Sequence, residues 1–526
     1  MSSPNSTAER CRRAGSTEEI ILVLGRVRNK GVRLWAANGQ LHYTAPKGAL
    51  TTEEVAVLQR SKNQILAHLD VEADSKITGG GPASHPDFHY APLAFSQVAH
   101  WHLYELNSRP VVRGVSGGIR LVGELSTEAL RASIVSLIRR QDALRTQVWS
   151  DNGVLMQKVA RSCPPFDLTI DDLTALSSSS GVDEADRLIE RFLLIRIDVA
   201  VDPLFAFRLI RLRHDEHLLI VTSEHVVSDG LSMNILFRDL LHGYEQISRG
   251  LQVSLPLVQL QLCDYAACQH NARDAWLREH GAYWNDHLEG CQRTIFPASK
   301  GYSDTTDGEW KTVPVKLHSD MTRALREWSR LNRTTIVIVV FAIYAAVVLK
   351  WCGVSEAVFQ YITGGRDSPK LENTIGCFAG GLHLRIGMRK QDVFSDFTDR
   401  VKEEYCGACE HVDYSYLEAQ EPRPAFARNC FFNWLPEDEM PVAENPHAMI
   451  LSTPFQIKRP VFARRGDTEP GMVLRERGNE IGGVVFFPLN RFSVDDMNTF
   501  VRSFTHLMQE VLANPAVRIS EIKLSR

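Results

Sequence analysis

The stretch VTSEHVVSDGLSMNILF, residues 221–237, decides how this chain is read. Its left half closes an apolar run, EHLLIVTSEH, that reads as a buried strand. Its right half opens GLSMNILFRDLLHGY, where Leu231, Ile235, Leu236 and Leu240 form a helical stripe. Between the two halves fall Glu224, His225, Ser228, Asp229 and Gly230. An aspartate immediately before a helical stripe predicts an N-cap, its carboxylate accepting a backbone N–H. Gly230 predicts a tight turn that a ligand can approach closely.

The chemistry that suits this loop is acyl transfer. Histidine titrates near pH 6.5 when unperturbed, so His225 can take a proton from an amine or a hydroxyl at neutral pH. If the acyl group arrives as a thioester, no covalent enzyme intermediate is required. The site then needs a positioned nucleophile, a proton acceptor and stabilisation of the developing oxyanion. His225 and nearby backbone N–H groups can supply the last two. Asp229, capping a helix or paired with an arginine, would stay ionised and act as structure rather than as a base. A structural histidine beside an apolar strand is the other reading, and spacing alone leaves both open.

The 526 residues are enough for more than one domain and a sizeable core. A hydrophobic share of 44% and a charged share of 23% are ordinary for a globular protein. A net charge of -4 gives no global attraction to nucleic acid or acidic membranes, and neither is expected as a partner. The longest apolar run, Ile336 to Leu349, falls short of the ~20 residues that span a bilayer and reads as a buried helix. The N-terminus lacks the apolar core of a secretory signal. Ten scattered cysteines then suggest reduced thiols and a cytoplasmic location. Cys406 and Cys409 form a C-x-x-C with no second pair and no evident set of four ligands. The expectation is two cysteines facing a core from one helix, and no metal site.

Residues 16–73 read as a small unit after a tail of residues 1–15. EEIILVLGRVRNKG suggests a helix ended by Gly31. In VRLWAANGQLHYTA, Asn38-Gly39 predicts a type I′ hairpin with Leu34 and Trp35 on one arm and Leu41 and Tyr43 on the other. Thr51 and Glu54 then have capping-box spacing ahead of a second helical stripe. Basic residues cluster here, including Arg26, Arg28, Lys30, Arg33 and Lys47; a solvated face is the plain explanation. A hairpin edge also offers backbone groups to another chain. The unit resembles the β-hairpin docking domains of nonribosomal peptide synthetase subunits. The resemblance implies capture of the acidic C-terminal tail of an upstream synthase subunit, with Arg33, Lys47, Arg28 and Lys30 as candidate contacts. Residues 74–90, rich in Gly, Pro and Ser, read as a linker.

From about residue 90 onward a series of motifs appears in order. PLAFSQVAHWHLYEL resembles the opening Ser-Gln and Trp motif of peptide synthetase condensation domains, and RQDALRTQVW their Arg-His-Glu-x-Leu-Arg-Thr motif. HVVSDG is similar to His-His-x-x-x-Asp-Gly, LCDYAACQ to the Asp-Tyr-Ala block, and TGGRDSPKLENTIGCFAGGLHLR to the Gly-Arg and Ile-Gly-x-Phe block. EHVDYSYLE and ARNCFFNWL resemble the last two motifs. The fold implied is α/β (α+β): two chloramphenicol-acetyltransferase-like lobes in a V, at residues 91–270 and 271–526. A tunnel between them would admit substrates on phosphopantetheine arms that belong to partner carrier proteins, with no cofactor bound by this chain. The resemblance makes His225 the histidine to which activity is tied and Asp229 a structural aspartate. Arg385 is the first choice as its arginine partner and Arg366 the second. Asn433 falls where the family often has a polar residue near the site.

The chain departs from the pattern at three places. Glu224 replaces the first histidine, Gln141 replaces the histidine of the arginine motif, and FAGGLH stands in the later block. Glu224 either orients its neighbours or raises the basicity of His225 toward a hydroxyl. Glu224, Asp229 and Ser232 also resemble a heterocyclisation motif, which normally lacks His225 and Gly230. No phosphate loop, adenylation block or carrier segment is seen. The expectation is therefore a docking domain fused to a condensation enzyme. An acyl-loaded carrier would supply the donor, and an amine or hydroxyl, free or carrier-bound, would accept it, with chain release as one outcome. Heterocyclisation, a free acyltransferase using coenzyme A thioesters and a non-catalytic carrier-binding scaffold are the alternatives.

Overall fold

The computed structural model describes residues 33–37, 40–44, 59, 62, 87–106, 114–151, 153–299, 310–411, 430–435, 451–454 and 469–525, apart from 165, 167, 196 and 367. Two compact units divide the chain: Met1–Pro92 with Ser150–Met156, and Leu93–Trp149 with Gln157–Arg526.

In the first unit β1 (Arg33–Ala37) and β2 (Gln40–Thr44) form an antiparallel pair. The register sets Leu34 against Tyr43 and Ala37 against Gln40, so two residues join the arms, as the Asn-Gly dipeptide predicts. The first helix expected beside the hairpin, Arg28, Lys30 and Lys47, and all of the second helix but Gln59 and Lys62, which are helical, lie outside the described residues; Arg33 opens β1. β3 (Phe88–Pro92) closes the unit's long first segment.

The second unit begins with α1 (Phe95–Leu106), β4 (Gly114–Val122), α2 (Thr127–Arg140), β5 (Thr146–Asp151) and β6 (Val154–Ala160), the last two running across the unit boundary. Then come β7 (Thr169–Asp172), α3 (Ser178–Leu193), β8 (Phe205–Arg213), β9 (Glu216–Glu224), α4 (Gly230–Ser248) and α5 (Leu262–Leu288). β10 (Trp310–Leu317), α6 (Ser319–Leu331), α7 (Ile336–Cys352), β11 (Glu356–Thr363), β12 (Gly380–Gly387) and α8 (Phe394–Glu410) follow. The chain ends through β13 (Phe432–Leu435), β14 (Leu451–Pro454), β15 (Gly471–Arg477), β16 (Glu480–Pro488) and α9 (Val494–Ala513).

Two mixed sheets organise this unit. One has the order β14-β4-β9-β8-β7, the other β10-β16-β15-β13-β11-β12. β9 is buried from His217 to Glu224, so it carries apolar residues on both faces instead of alternating. α4 lies close to the first sheet at Gly117, where a Cβ would come within 2.7 Å of the Phe237 ring. β14 returns from far downstream to pair with β4, Leu451 against Val122 and Thr453 against Arg120.

The run from Ile336 is the core helix the sequence predicts. Thr335 caps α7 by accepting the Ile338 N–H, and Gly353 ends it in the left-handed conformation at φ 69°. Residues Ile338 to Leu349 are all buried. Phe341 packs against the rings of Phe359, Tyr361 and Phe432 from the second sheet. Each such fully buried side chain contributes roughly 1.5–3 kcal/mol. No single described helix is long and apolar enough to cross a membrane.

The architecture is the expected mixed α/β one, with one detail added at the expected lobe boundary and one corrected at the C-x-x-C. The lobe boundary expected at residues 270/271 falls inside α5, a continuous helix of 27 residues, because its polar, weakly periodic sequence carries no break signal there. The C-x-x-C lies on α8 as expected, yet only Cys409 packs against the core, while Cys406 is exposed. Three residues turn a helix by about 300°, which leaves one cysteine off the buried stripe.

Candidate active site

The quoted stretch folds as strand, single turn and helix. β9 ends at Glu224, residues His225–Val227 make one 3-10 turn, and α4 starts at Gly230. The Glu224 N–H donates to the Leu204 carbonyl (2.9 Å), and the Ser228 N–H donates back to the His225 carbonyl (3.3 Å). Glu224 is 7% exposed, and Ser228 is fully buried with its Oγ unpartnered among the described residues. His225 is half-buried as a residue, while its Nδ1 is buried.

Asp229 is the anchor of the turn. Its Oδ1 accepts from the Ser232 N–H and the Ser232 hydroxyl, each at 2.8 Å, which is the predicted N-cap of α4. Its Oδ2 accepts from the Phe378 N–H (3.1 Å) and the Ala379 N–H (3.3 Å). Arg366 closes a bidentate fork on the carboxylate at 2.8 and 3.1 Å. The same guanidinium also donates to Ser232 Oγ and the Thr374 carbonyl and sits over the Phe378 ring at 4.6 Å. Burial pushes the Asp229 carboxyl up, but the Arg366 charge and the hydrogen bonds from Arg366 and Ser232 outweigh it and hold it below the ordinary carboxylate range. Asp229 is thus an ionised strut and not a base.

The segment Gly364–Ala379 is shaped to meet this strut. Gly365 takes φ +60°, and a Cβ there would lie 1.8 Å from the Phe378 carbonyl oxygen, so only glycine lets Arg366 turn inward. Ser232 Oγ accepts the Gly376 N–H and lies 2.8 Å from the Gly376 carbonyl, which shares its single hydroxyl proton with Asp229. Gln141, the departure in the arginine motif, is fully buried and grips the same segment, donating to the Asn373 carbonyl (2.8 Å) and accepting the Ile375 N–H (3.1 Å).

α1 fastens the turn from the other side. Gln97 Nε2 donates to the Val226 carbonyl at 2.8 Å, and Ser96 Oγ donates to the Cys377 carbonyl at 2.7 Å. The opening Ser-Gln motif is therefore a clamp that holds the His225 turn and the Cys377 backbone together. One turn along, His100 stacks on His225 with ring centroids 3.8 Å apart and planes 8° from parallel. The Sγ of buried Cys377 and ring nitrogens of His100 and His225 lie within 4.8 Å of one another, a group unmatched among the described residues. Lone pairs of parallel stacked rings point side by side and do not converge on one ion as tetrahedral coordination requires.

Several sequence expectations find their place here and others move. Arg366, the second choice, makes the pair with Asp229, whereas Arg385 does not. Arg385 alternates on β12 with buried Leu384 and Ile386, so its side chain leaves the core and donates to Glu356 (2.9 Å) and the His287 carbonyl (3.1 Å). Asn433 sits in β13, in register with Ile362 and Val473, and makes no hydrogen bond to His225 or Asp229 among the described residues. Gly230 serves no left-handed turn: it begins α4, and a Cβ there would meet nothing within 4 Å. Sequence reasoning assigned no role to His100 or Cys377. The one available signal was the i, i+3 spacing of Gln97 and His100 on a helix. A separate cavity of about 470 Å³, lined by residues such as Glu128, Ala132, Tyr244 and Ser248, lies at the far end of α4, roughly 27 Å along the helix from Gly230.

Comparison with known proteins accounts for this arrangement. The condensation-domain family model matches residues 89–429, and the TubC N-terminal docking domain model matches residues 20–70. Phosphinothricin tripeptide synthetase PhsC of Streptomyces viridochromogenes is 30% identical over 329 residues, 62% of this chain and 30% of that protein. Surfactin synthase subunit 2 of Bacillus subtilis is 25% identical over 478 residues, 89% of this chain and 13% of that protein. The chain thus spans less than a third of the length of these relatives. Among solved structures, the X-domain from teicoplanin biosynthesis superimposes with a TM-score of 0.71 at 23% identity, over 82% of this chain and 97% of that one. The SgcC5 protein from Streptomyces globisporus does so with a TM-score of 0.66 at 21% identity, over 81% and 100%. These likenesses show the fold, and the family models cover the motifs up to residue 429: the chain belongs to the condensation-domain family of nonribosomal peptide synthetases and carries a docking domain of the TubC type at its N-terminus.

Proposed function

We propose that this chain transfers an acyl group from the phosphopantetheine thioester of an upstream carrier protein to an amine or hydroxyl acceptor, with His225 as the proton acceptor. The observation that carries the reading is that half-buried His225 stands at the end of a buried strand, on a turn anchored by Asp229, Arg366 and Gln97. Acyl transfer from a thioester needs a fixed base and orientation more than covalent help. The acceptor heteroatom attacks the thioester carbonyl, its proton passes to His225, and the carrier thiol leaves. Asp229, already committed to Arg366 and four other donated hydrogen bonds, keeps the turn in place. Ser228 with its buried hydroxyl is a supporting group on the same turn.

The docking domain would bring in the upstream subunit, of peptide or polyketide type, by binding its acidic C-terminal tail at Arg33, Lys47, Arg28 and Lys30. The protein would work in the cytoplasm, bind no cofactor of its own, and can release a finished chain as an amide or an ester. Intact-mass analysis of the acyl-loaded upstream carrier tests this, with the native chain, His225→Ala and a panel of amines and alcohols. The expected result is loss of the acyl mass from the carrier and appearance of the amide or ester, abolished in His225→Ala. Equal turnover by His225→Ala, or by acyl-coenzyme A in place of the carrier, would refute it. Glu224 is proposed to favour a hydroxyl acceptor, and a Glu224→His variant with unchanged rate and acceptor choice would remove that role.

A further inference from the structure

We infer that His100 is a positioning residue for His225, supplying from α1 the second imidazole of the site; the inference rests on the reading of His225 given above. Three residues of one helix face address three parts of the site. Ser96 donates to the Cys377 carbonyl, Gln97 donates to the Val226 carbonyl, and His100 lies face to face on His225. Gln97 and His100 are three apart on α1, so they lie on one side of it, one turn above the other. The hydrogen bond that fixes Val226 therefore also sets the height at which the His100 ring meets His225.

The geometry is that of a stacked plate and not of a relay. A relay needs the in-plane N–H of one ring to point at the in-plane lone pair of the next. Here the planes are 8° from parallel and the ring centroids 3.8 Å apart, so the in-plane nitrogens of one ring do not aim at those of the other. The contact cannot pass a proton along that direction. What it does is cover one face of His225 and stop the ring from turning about its Cβ–Cγ bond, a torsion with a broad, shallow preference. An imidazole that acts as base must keep its lone pair aimed at the acceptor, and small misplacements cost large factors in rate. Glu224 occupies the position just before His225 and carries no ring to stack on it. The covering ring comes instead from a helix that the Gln97 clamp already holds in register.

The test uses the full chain with a carrier loaded with an octanoyl thioester and the panel of amines and alcohols. His100→Leu removes the flat face at similar bulk, and His100→Phe keeps the face but has no titrating nitrogen. The expected result is a kcat about ten-fold or more lower in His100→Leu, with KM for the loaded carrier unchanged, and recovery of most of that loss in His100→Phe. In protein labelled with 13C at histidine Cε1, the His225 signal, assigned from His225→Ala, should carry the ring-current shift of a stacked partner. It should lose that shift in His100→Leu and regain it in His100→Phe. Native-like kcat and KM in His100→Leu would overturn the inference while leaving the role of His225 intact. A His100→Phe variant as slow as His100→Leu would also overturn it, since a nitrogen and not a flat face would then be needed. No turnover by the native chain with any acceptor would bring down the reading of His225 itself, and this inference with it.

Discussion

Replacing Arg366 by leucine tests whether the salt bridge under the His225 turn holds the site together. The Arg366 side chain is 9% exposed and that of Asp229 2%, so solvent screens the pair little. Removing one partner of a buried pair strands the other charge, at about 3–5 kcal/mol. Asp229 keeps four donors, from Ser232 N–H, Ser232 Oγ, Phe378 N–H and Ala379 N–H, so the cost should fall near the lower end, about 3 kcal/mol at pH 7. The loss should also depend on pH with a definite sign. In the native chain the Asp229 carboxyl lies below its ordinary value of 3.8, so its contribution is present above that pH and disappears as the pH falls through the folded value. Without Arg366, burial is opposed only by the remaining hydrogen bonds and the carboxyl moves upward. The folded variant then holds its proton longer, and the penalty relative to native shrinks as pH falls from 7 toward 4. Urea unfolding of both proteins at pH 7 and pH 4, followed by tryptophan fluorescence, measures this. A penalty below 1 kcal/mol at pH 7, or an equal penalty at both pH values, would refute the strut.

Three further outcomes follow from the same geometry. His383, fully buried on β12, has its pKa lowered to about 4 by burial. The unfolded chain therefore binds a proton below about pH 6.5 that the folded chain refuses, and stability should fall by up to roughly 3 kcal/mol between pH 6.5 and pH 4. His383→Gln should flatten that part of the pH–stability curve, and an unchanged slope would count against the assignment. Gly365→Ala should destabilise by roughly 2 kcal/mol or more and lower turnover, because the left-handed φ and the 1.8 Å approach to Phe378 both oppose a Cβ; a native melting temperature would contradict this. Gly230→Ala should leave thermal stability equal or slightly higher, since the added methyl meets nothing and the backbone is helical. If substrate approaches the start of α4, kcat/KM should nevertheless fall in that variant, and unchanged kinetics would place the substrate elsewhere.

What was legible in the sequence was local. The strand into Glu224, the cap at Asp229, the helix from Gly230, the buried run of α7 and the hairpin register each follow from neighbours within a few positions. What was not legible depends on contacts between distant residues. Arg385 and Arg366 both fit a rule that an arginine should meet Asp229. Strand alternation turns Arg385 out toward Glu356, and a left-handed glycine turns Arg366 in. The pairing of β14 with β4 joins residues more than 300 apart, and the His100–His225 stack joins residues 125 apart; no periodicity predicts either. The lobe boundary expected at 270/271 lies within α5, which runs through that point without a glycine or proline.

The motif residues of this chain divide by what their atoms are already doing. Ser96, Gln97, Gln141, Asp229, Ser232 and Arg366 spend their polar atoms on backbone groups or on other side chains, and their bonds to distant backbone end on two short segments, Val226 and Asn373–Ala379. Such groups are poor candidates for chemistry, because a proton or charge moved on any of them would break a buried bond costing about 1–3 kcal/mol or more. They are good candidates for making one backbone turn rigid. His225 is set apart by being carried on that turn while the residue stays only half-buried. A site built in this way tolerates Glu224 and Gln141 in place of histidines as long as the turn keeps its shape. It should be far less tolerant of changes that loosen the turn without touching His225. Gln97→Leu is such a change: it removes the donor to the Val226 carbonyl and should lower kcat, with the imidazole itself intact. An unaltered kcat in that variant would mean that the clamp on Val226 is dispensable and that the rigidity argued here arises from Asp229 and Arg366 alone.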